Sequence, residues 1–251
     1  MKTPDIESQV LLIDVGNTAI KWCVVAGTID AMTAQRCPRE PDRLVAEVTA
    51  SVSGLSPRPA VWLASVSDET FDRELTEALQ GAGFESITHV VTASEELGLR
   101  NSYSEPQRMG VDRWLAMIAA SYGRSEPCLV IDVGTALTID VIDSDGQHLG
   151  GYIVPGIDLM QSALSRDTQR VRFTEQLDPG TTPGGSTAGC VVAGSWAALL
   201  GATTLVTRRY PDHRVVVTGG AGRDLLSLGL DGEWRPNLVL EGLAIKAANA
   251  S

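Results

Sequence analysis

Cysteine and histidine are scarce in this chain, and neither is arranged for chemistry. Four cysteines, Cys23, Cys37, Cys128 and Cys190, are spread over 251 residues. They form no CxxC pair and no disulfide-rich spacing. Cys23 and Cys128 sit in apolar runs and read as small core residues. His89, His148 and His213 are scattered and make no metal-ligand pattern. Basic charge is also short: 20 Lys and Arg against 31 Asp and Glu leave a formal net charge of −11. That argues against a nucleic-acid surface, which needs clustered cations. It does not forbid ATP, because backbone amides and a metal ion can carry phosphate charge. The apolar runs Val10–Ile13 and Leu129–Ile131 are each closed by an Asp, and no apolar run approaches the ~20 residues of a membrane span. Residues Met1 to Glu7 lack the basic start and apolar core of a signal peptide. A cytoplasmic protein with no membrane and no nucleic-acid partner is expected. Finally, there is no GxxxxGK[ST] loop and no strand–GxGxxG–helix fingerprint.

What is present is a duplication. Asp14-Val15-Gly16-Asn17-Thr18 closes one apolar strand and Asp132-Val133-Gly134-Thr135-Ala136 closes another. Each leads straight into a second strand-like stretch, so each is a hairpin with a small polar tip. Such a tip can approach a phosphate, since Gly lacks a Cβ and amides and hydroxyls donate hydrogen bonds.

The order of elements around the two hairpins also repeats. Strands are expected over Gln9–Val15, Ala19–Ala26 and Thr28–Ala34, a helix over Asp42–Val52, a strand over Ala60–Val66, a helix over Thr70–Gln80 and a strand over Ile87–Val91. Strands over Cys128–Val133, Ala136–Ile142 and Gly146–Val154 begin the second round. Helices from Ile157 to Leu164 and Thr187 to Arg209, a strand over Val215–Thr218, a helix from Arg223, a short strand over Asn237–Leu240 and a C-terminal helix complete it. Ser94–Met109 and Asp167–Gly185 read as irregular exposed loops. Hydrophobic residues make up 43% of the chain, enough for two cores. The fold class expected is α/β, two duplicated halves over 1–114 and 115–251 with a nucleotide cleft between them. The small residues of the helix from Thr187 suit packing against a partner subunit or within the monomer.

Between the halves lies Gly110-Val111-Asp112-Arg113-Trp114. Gly110 opens a helix, and Asp112 falls in its first turn. There an acid either just complements the helix dipole or serves as a general base. Arg113 suits an anionic substrate group, because its planar fork bonds carboxylates in pairs. Asp14 and Asp132 either fix turns or hold a metal-bound polyphosphate from two sides. Lys21 is either solvated or a phosphate contact. Gly219–Gly222 reads as a tight turn or a phosphate seat.

Taken in order, Asp14–Thr18 with Lys21, Gly110–Arg113, Asp132–Thr138, Gly150–Gly156 and Val217–Gly220 resemble the type III pantothenate kinases. That family belongs to the actin/hexokinase/Hsp70 ATPase superfold of duplicated ribonuclease H-like domains. It includes proteins once described as Bvg accessory factors. The resemblance implies transfer of the γ-phosphoryl group of ATP to the pantothenate hydroxyl. It implies that Asp14, Val15, Gly16, Asn17, Thr18, Ala19, Ile20 and Lys21 form a phosphate loop and that Thr135 contacts ATP. It implies that Tyr103, Gly110, Val111, Asp112, Arg113 and Thr187 bind pantothenate, with Asp112 as proton acceptor. It further implies Mg²⁺, a monovalent cation (K⁺ or NH₄⁺) at Asp132, and a homodimer. The chain departs from the family's Leu-Pro pattern over 165–172. Another kinase or phosphatase of the superfold and a non-catalytic ATP-binding regulator are the competing readings.

Overall fold

The structure is a computed structural model, and it describes residues 5–29, 32–167 and 178–250. In chain order the elements are β1 Asp5–Val15, β2 Ala19–Thr28, β3 Gln35–Pro38, α1 Pro41–Ser51, β4 Ala60–Ser65, α2 Glu69–Gly81 and β5 Ile87–His89. A small hairpin follows, β6 Glu95–Glu96 and β7 Leu99–Arg100, then α3 Val111–Ser121. The second series is β8 Cys128–Val133, β9 Ala136–Ile142, β10 His148–Pro155, α4 Ile157–Asp167, α5 Thr187–Arg209, β11 Arg214–Thr218, α6 Gly222–Ser227, β12 Glu233–Trp234 and α7 Leu238–Asn249.

The chain divides into two compact units, one of residues up to Gly123 together with those from Asn237 onward, the other Arg124–Pro236. The first contains a five-stranded sheet in the order β3-β2-β1-β4-β5, the second one in the order β10-β9-β8-β11-β12. In each, three antiparallel strands are followed by two parallel ones. The repeat of topology is the duplication expected from the hairpins.

These boundaries differ from the expected division at 114/115, which falls inside α3. Packing explains the difference. α3 is buried nearly all round, from Val111 and from Arg113 to Ala120. α7 lies against it so closely that a Cβ on Gly242 would strike the backbone of Leu115. A helix this apolar must be covered on every side, and the returning C-terminal helix supplies the cover.

Both faces of the first sheet are buried along β1. Leu11, Ile13 and Val15 join the core with Leu44 and Val48 of α1 and Leu75 and Leu79 of α2. Val10 and Leu12 are buried on the other face. That is why Val10–Ile13 is a continuous apolar run rather than an alternating one. In the second unit Leu129, Ile131 and Val133 pack with Val192, Trp196, Leu199 and Val206 of α5. α5 is the one described helix whose length and composition would cross a membrane. That side of it lies in the protein core.

Two strands were expected elsewhere. The third strand, expected over Thr28–Ala34, is β3 at Gln35–Pro38; positions 30 and 31 of the expected segment lie outside the described residues. β2 runs on to Thr28, which pairs with Asp5. The chain must turn back before β3 can pair Cys37 with Ile20 and bury it. The short strand expected over Asn237–Leu240 is the start of α7, with Asn237 at its N-cap position. Leu238, Leu240, Leu243 and Ala244 are all fully buried, a burial only the helix achieves there, and the last strand is β12. Of the loop expected over Asp167–Gly185 and the departure over 165–172, positions 168–177 lie outside the described residues.

Candidate active site

The first hairpin is closed by the pair Val15 and Ile20, both fully buried. Gly16 N–H donates to the Ala19 carbonyl at 3.1 Å. Asn17 and Thr18 stand exposed at the tip. Asp14 and Lys21 are direct cross-strand partners below it, each half-buried. Direct partners share a face of the sheet, so the acid and the cation sit side by side under the tip.

The second hairpin is closed by Val133 and Leu137 and is one residue shorter, with Gly134 N–H donating to Ala136 O at 3.0 Å. Thr135 is exposed at its tip. Asp132 lies between Thr138 of β9 and Thr218 of β11. Two further segments close on it. Gly156 N–H donates to Thr135 O at 2.9 Å, and a Cβ on Gly156 would collide with the carbonyls of Gly134 and Thr135. Gly219 has φ +91°, and a Cβ there would collide with Asp132 Oδ1 and the Val133 backbone. Only glycine fits both the close approach and the left-handed backbone. Ala221 N–H completes the junction with a bond to Val133 O at 3.0 Å.

In the first unit, the register puts Ser65 where the second unit has Gly219. Ser65 Oγ donates to Asp72 Oδ1 at 2.6 Å and accepts from Ser67 N–H at 3.1 Å. Arg39 donates to Ser67 Oγ, lies 3.7 Å from Asp68 Oδ2 and rests over the Phe71 ring. Asp68 in turn caps α2 by accepting from Thr70 and Phe71 N–H. A side-chain network therefore occupies the place that is bare backbone in the other unit.

The Gly110–Arg113 segment follows a 3₁₀ turn at Pro106–Arg108. Gly110 occupies the N-cap position of α3, and a Cβ there would collide with Asp112 Oδ1. The missing side chain is what lets the carboxylate fold back over the helix start. There Asp112 Oδ1 accepts from Arg113 N–H at 2.8 Å. Arg113 is 8% exposed, and its Nη1 donates to the Tyr103 hydroxyl at 3.1 Å. Tyr103 is fixed by its own N–H, which donates to Asn101 Oδ1 at 2.9 Å. The end of the segment is tied by Thr92 Oγ1, which donates to Met109 O at 2.9 Å.

Within the first unit the structure thus joins Tyr103, Gly110, Asp112 and Arg113, all singled out from sequence, and adds Asn101. Val111 is buried under them. Within the second it joins Asp132 and Thr135 and adds Gly156 and Gly219. Both glycines lie in segments the resemblance had marked, but no spacing rule says which glycine touches the tip. Thr187 stands exposed at the first turn of α5, whose N-cap Ser186 accepts from Gly189 N–H at 3.1 Å.

The three buried cysteines are closed to chemistry. Burial pushes the Cys23 thiol up to about 12 and the Cys128 thiol to about 11, and it raises Cys37 as well. Thiols held neutral at physiological pH are poor nucleophiles. Among the described residues no group of three or more His, Cys, Asp or Glu could hold a metal. The donor set fits two cations of a kind that need no such cage. Asp14 and Asp132 offer hard oxygen donors, a type that suits Mg²⁺ bound mainly through substrate phosphates. At Asp132 the carboxylate and the carbonyl of Gly134, with Thr135 O already taken by Gly156 N–H, are oxygens of the kind that suit a weakly held monovalent ion.

The family model for type III pantothenate kinase matches residues 10–209. The type III pantothenate kinase of Halorhodospira halophila is 36% identical over 93% of this chain and 95% of its own. That of Alcanivorax borkumensis is 36% identical over 96% and 99%. Among solved structures, a candidate Baf family transcriptional activator from Campylobacter jejuni superimposes with a TM-score of 0.61 at 20% identity, covering 96% of this chain and 98% of that one. A candidate N-acetylmannosamine kinase from Listeria monocytogenes gives 0.51 at 12% identity, covering 97% and 99%. At those identities the structures speak for the fold alone. They agree with an α/β fold of two duplicated halves.

Proposed function

The chain belongs to the type III pantothenate kinase family, and on that premise we infer how its residues divide the work. The reaction is transfer of the γ-phosphoryl group of ATP to the primary hydroxyl of pantothenate, giving 4′-phosphopantothenate and ADP, the first step of coenzyme A biosynthesis. Asp112 accepts the hydroxyl proton as the O–P bond forms, a role worth ~10²–10⁴-fold in rate. Arg113 and Tyr103 hold the pantothenate carboxylate end, with Gly110 and Val111 shaping the seat and Thr187 as a further contact. The tip from Asp14 to Lys21 and the tip at Thr135 hold the ATP phosphates through amides and hydroxyls. Asp132 holds K⁺ or NH₄⁺. Bound Mg²⁺ neutralises charge on the phosphate oxygens. Because the transition state of phosphoryl transfer is loose, alignment and charge stabilisation supply most of the catalysis.

The observation that carries this reading is the Gly110–Arg113 turn. Asp112 is folded over a helix start beside an arginine already fixed on Tyr103. A homodimer is proposed on the exposed small-residue face of α5, at Gly194, Ala197, Ala198 and Gly201. The proposed setting is the cytoplasm.

The test is ADP release from purified protein with ATP, Mg²⁺ and K⁺, with and without pantothenate. Pantothenate-dependent release that falls when K⁺ is withheld supports the assignment. Release indifferent to pantothenate refutes the acceptor.

A further inference from the structure

A carboxylate outside the reacting centre ties the substrate segment to the rest of its unit. Glu96 belongs to the two-residue strand β6 and is half-buried. One of its oxygens accepts from the indole Nε1–H of Trp114 at 3.1 Å. Both of its oxygens accept from Lys246 Nζ at 2.6 Å. Trp114 is fully buried and lies two residues after Asp112 in α3. Lys246 is in the last turn of α7, with its side chain 12% exposed. One carboxylate therefore joins the substrate loop, the helix that carries Asp112 and Arg113, and the helix that returns from the chain end.

The bonds are of the expensive kind to lose. A buried indole N–H with no acceptor and a largely buried ammonium with no partner are each costly, so the three groups hold one arrangement. The backbone beside Glu96 shows the same constraint. The turn of the small hairpin is Leu97-Gly98, with φ +51° and +83°. A leucine in the left-handed region is held there only when its surroundings fix it. From this hairpin the chain runs directly to Asn101, whose N–H donates to Ser94 O at 2.8 Å and whose side chain holds Tyr103.

We propose that Glu96 is a positioning residue for the acceptor substrate: through Trp114 and Lys246 it sets the register of the Tyr103 loop against the α3 N-terminus, and so the spacing of Tyr103, Arg113 and Asp112. It touches no reacting atom. The inference rests on the pantothenate-kinase reading of the site, since it assigns Glu96 to the acceptor side. Glu96 and Lys246 lie in the first unit with the acceptor residues, and neither is part of either phosphate tip.

The test compares wild type with Glu96→Gln, Lys246→Met and the double variant by steady-state kinetics and thermal melting. Wild-type turnover of pantothenate comes first, and its absence sinks the underlying function rather than this inference. Given that turnover, the expected result for Glu96→Gln is a pantothenate KM raised about tenfold, as misplacement of a binding group produces. The ATP KM and the kcat at saturation should stay within about twofold. Lys246→Met should raise the same KM, and the double variant should be no worse than the poorer single one, because both break one node. Lys246→Met also keeps the proposal testable if Glu96→Gln fails to fold. Unchanged pantothenate KM in a folded variant overturns it. So does a lower Tm with both KM values unchanged, or a parallel rise in both, because either marks a purely structural role.

Discussion

The two sheets share one topology, yet the tips at their first hairpins are furnished in opposite ways. In the first unit the tip is longer and has Asp14 and Lys21 beneath it. The place beside it is filled by Ser65, Ser67 and Arg39. In the second unit the tip is shorter and Asp132 has Thr138 as its partner. Around it Gly156 and Gly219 leave backbone against backbone. Two copies of one frame have thus diverged by filling one site with side chains and stripping them from the other. A stripped site gathers carbonyl and carboxylate oxygens, which suits a cation. A filled site keeps its tip, with Asn17 and Thr18 exposed, apart from such oxygens. Neither tip includes the residues proposed for the acceptor, which lie on α3 and the loop before it, with Thr187 on α5.

If that division of labour is right, the largest loss of turnover comes from a residue on neither tip. Asp112→Asn should lower kcat about 10²–10⁴-fold while calorimetry with a non-hydrolysable ATP analogue shows unchanged affinity. Retained turnover would end the assignment of Asp112 as base.

The next contrast sets Gly219→Ala against Ser65→Ala at equivalent register positions. Gly219→Ala meets both a positive φ and a collision with Asp132 and should cost about 1–3 kcal/mol in denaturant unfolding, with turnover largely lost. Ser65→Ala deletes a hydroxyl and should cost about 1 kcal/mol. Equal losses would mean that the filled and stripped sites do not differ in kind.

A sharper test sets Asp132→Asn against Asp14→Asn. The first should raise the K⁺ concentration for half-maximal activity about tenfold or more, equivalent to ~1.4 kcal/mol, and the second should raise the ATP KM with the K⁺ dependence unmoved. A K⁺ effect in both variants would erase the distinction.

Lys21→Ala should be milder. A half-buried cation near phosphate is partly screened, so a few-fold rise in ATP KM that shrinks with added salt is expected. The smallest effect concerns the cores beneath the tips. In native protein an alkylating reagent should modify Cys190, which is exposed, and spare Cys23, Cys37 and Cys128 until denaturant is added. Mass spectrometry of the labelled protein reads this directly, and early labelling of Cys128 would show that the second core opens more readily than the first.

The elements of both units were legible because their patterns are local. Val10–Ile13 ending in Asp, the repeat of that ending at Asp132, and the long apolar run of α5 each specify themselves. Three features were not local. The third strand depends on how far β2 runs before turning back. Leu238–Leu240 looks like a strand until the packing of α7 against α3 is known. Glycine appears twenty-five times in the chain, but only contact distances single out Gly156 and Gly219 at the Asp132 tip and Gly242 between helices.

The amino-acid sequence by itself determined the duplication, the two Asp-ended hairpins, the Gly110–Arg113 turn and, through their order, the family. Periodicity, turn chemistry and short motifs act over a few residues and survive without knowledge of the fold. Tertiary structure alone decided that α7 returns to cover α3, that Glu96 joins Trp114 to Lys246, and that one tip is padded while the other is bare. Those facts depend on which distant segments exclude water from one another, and no local pattern encodes that.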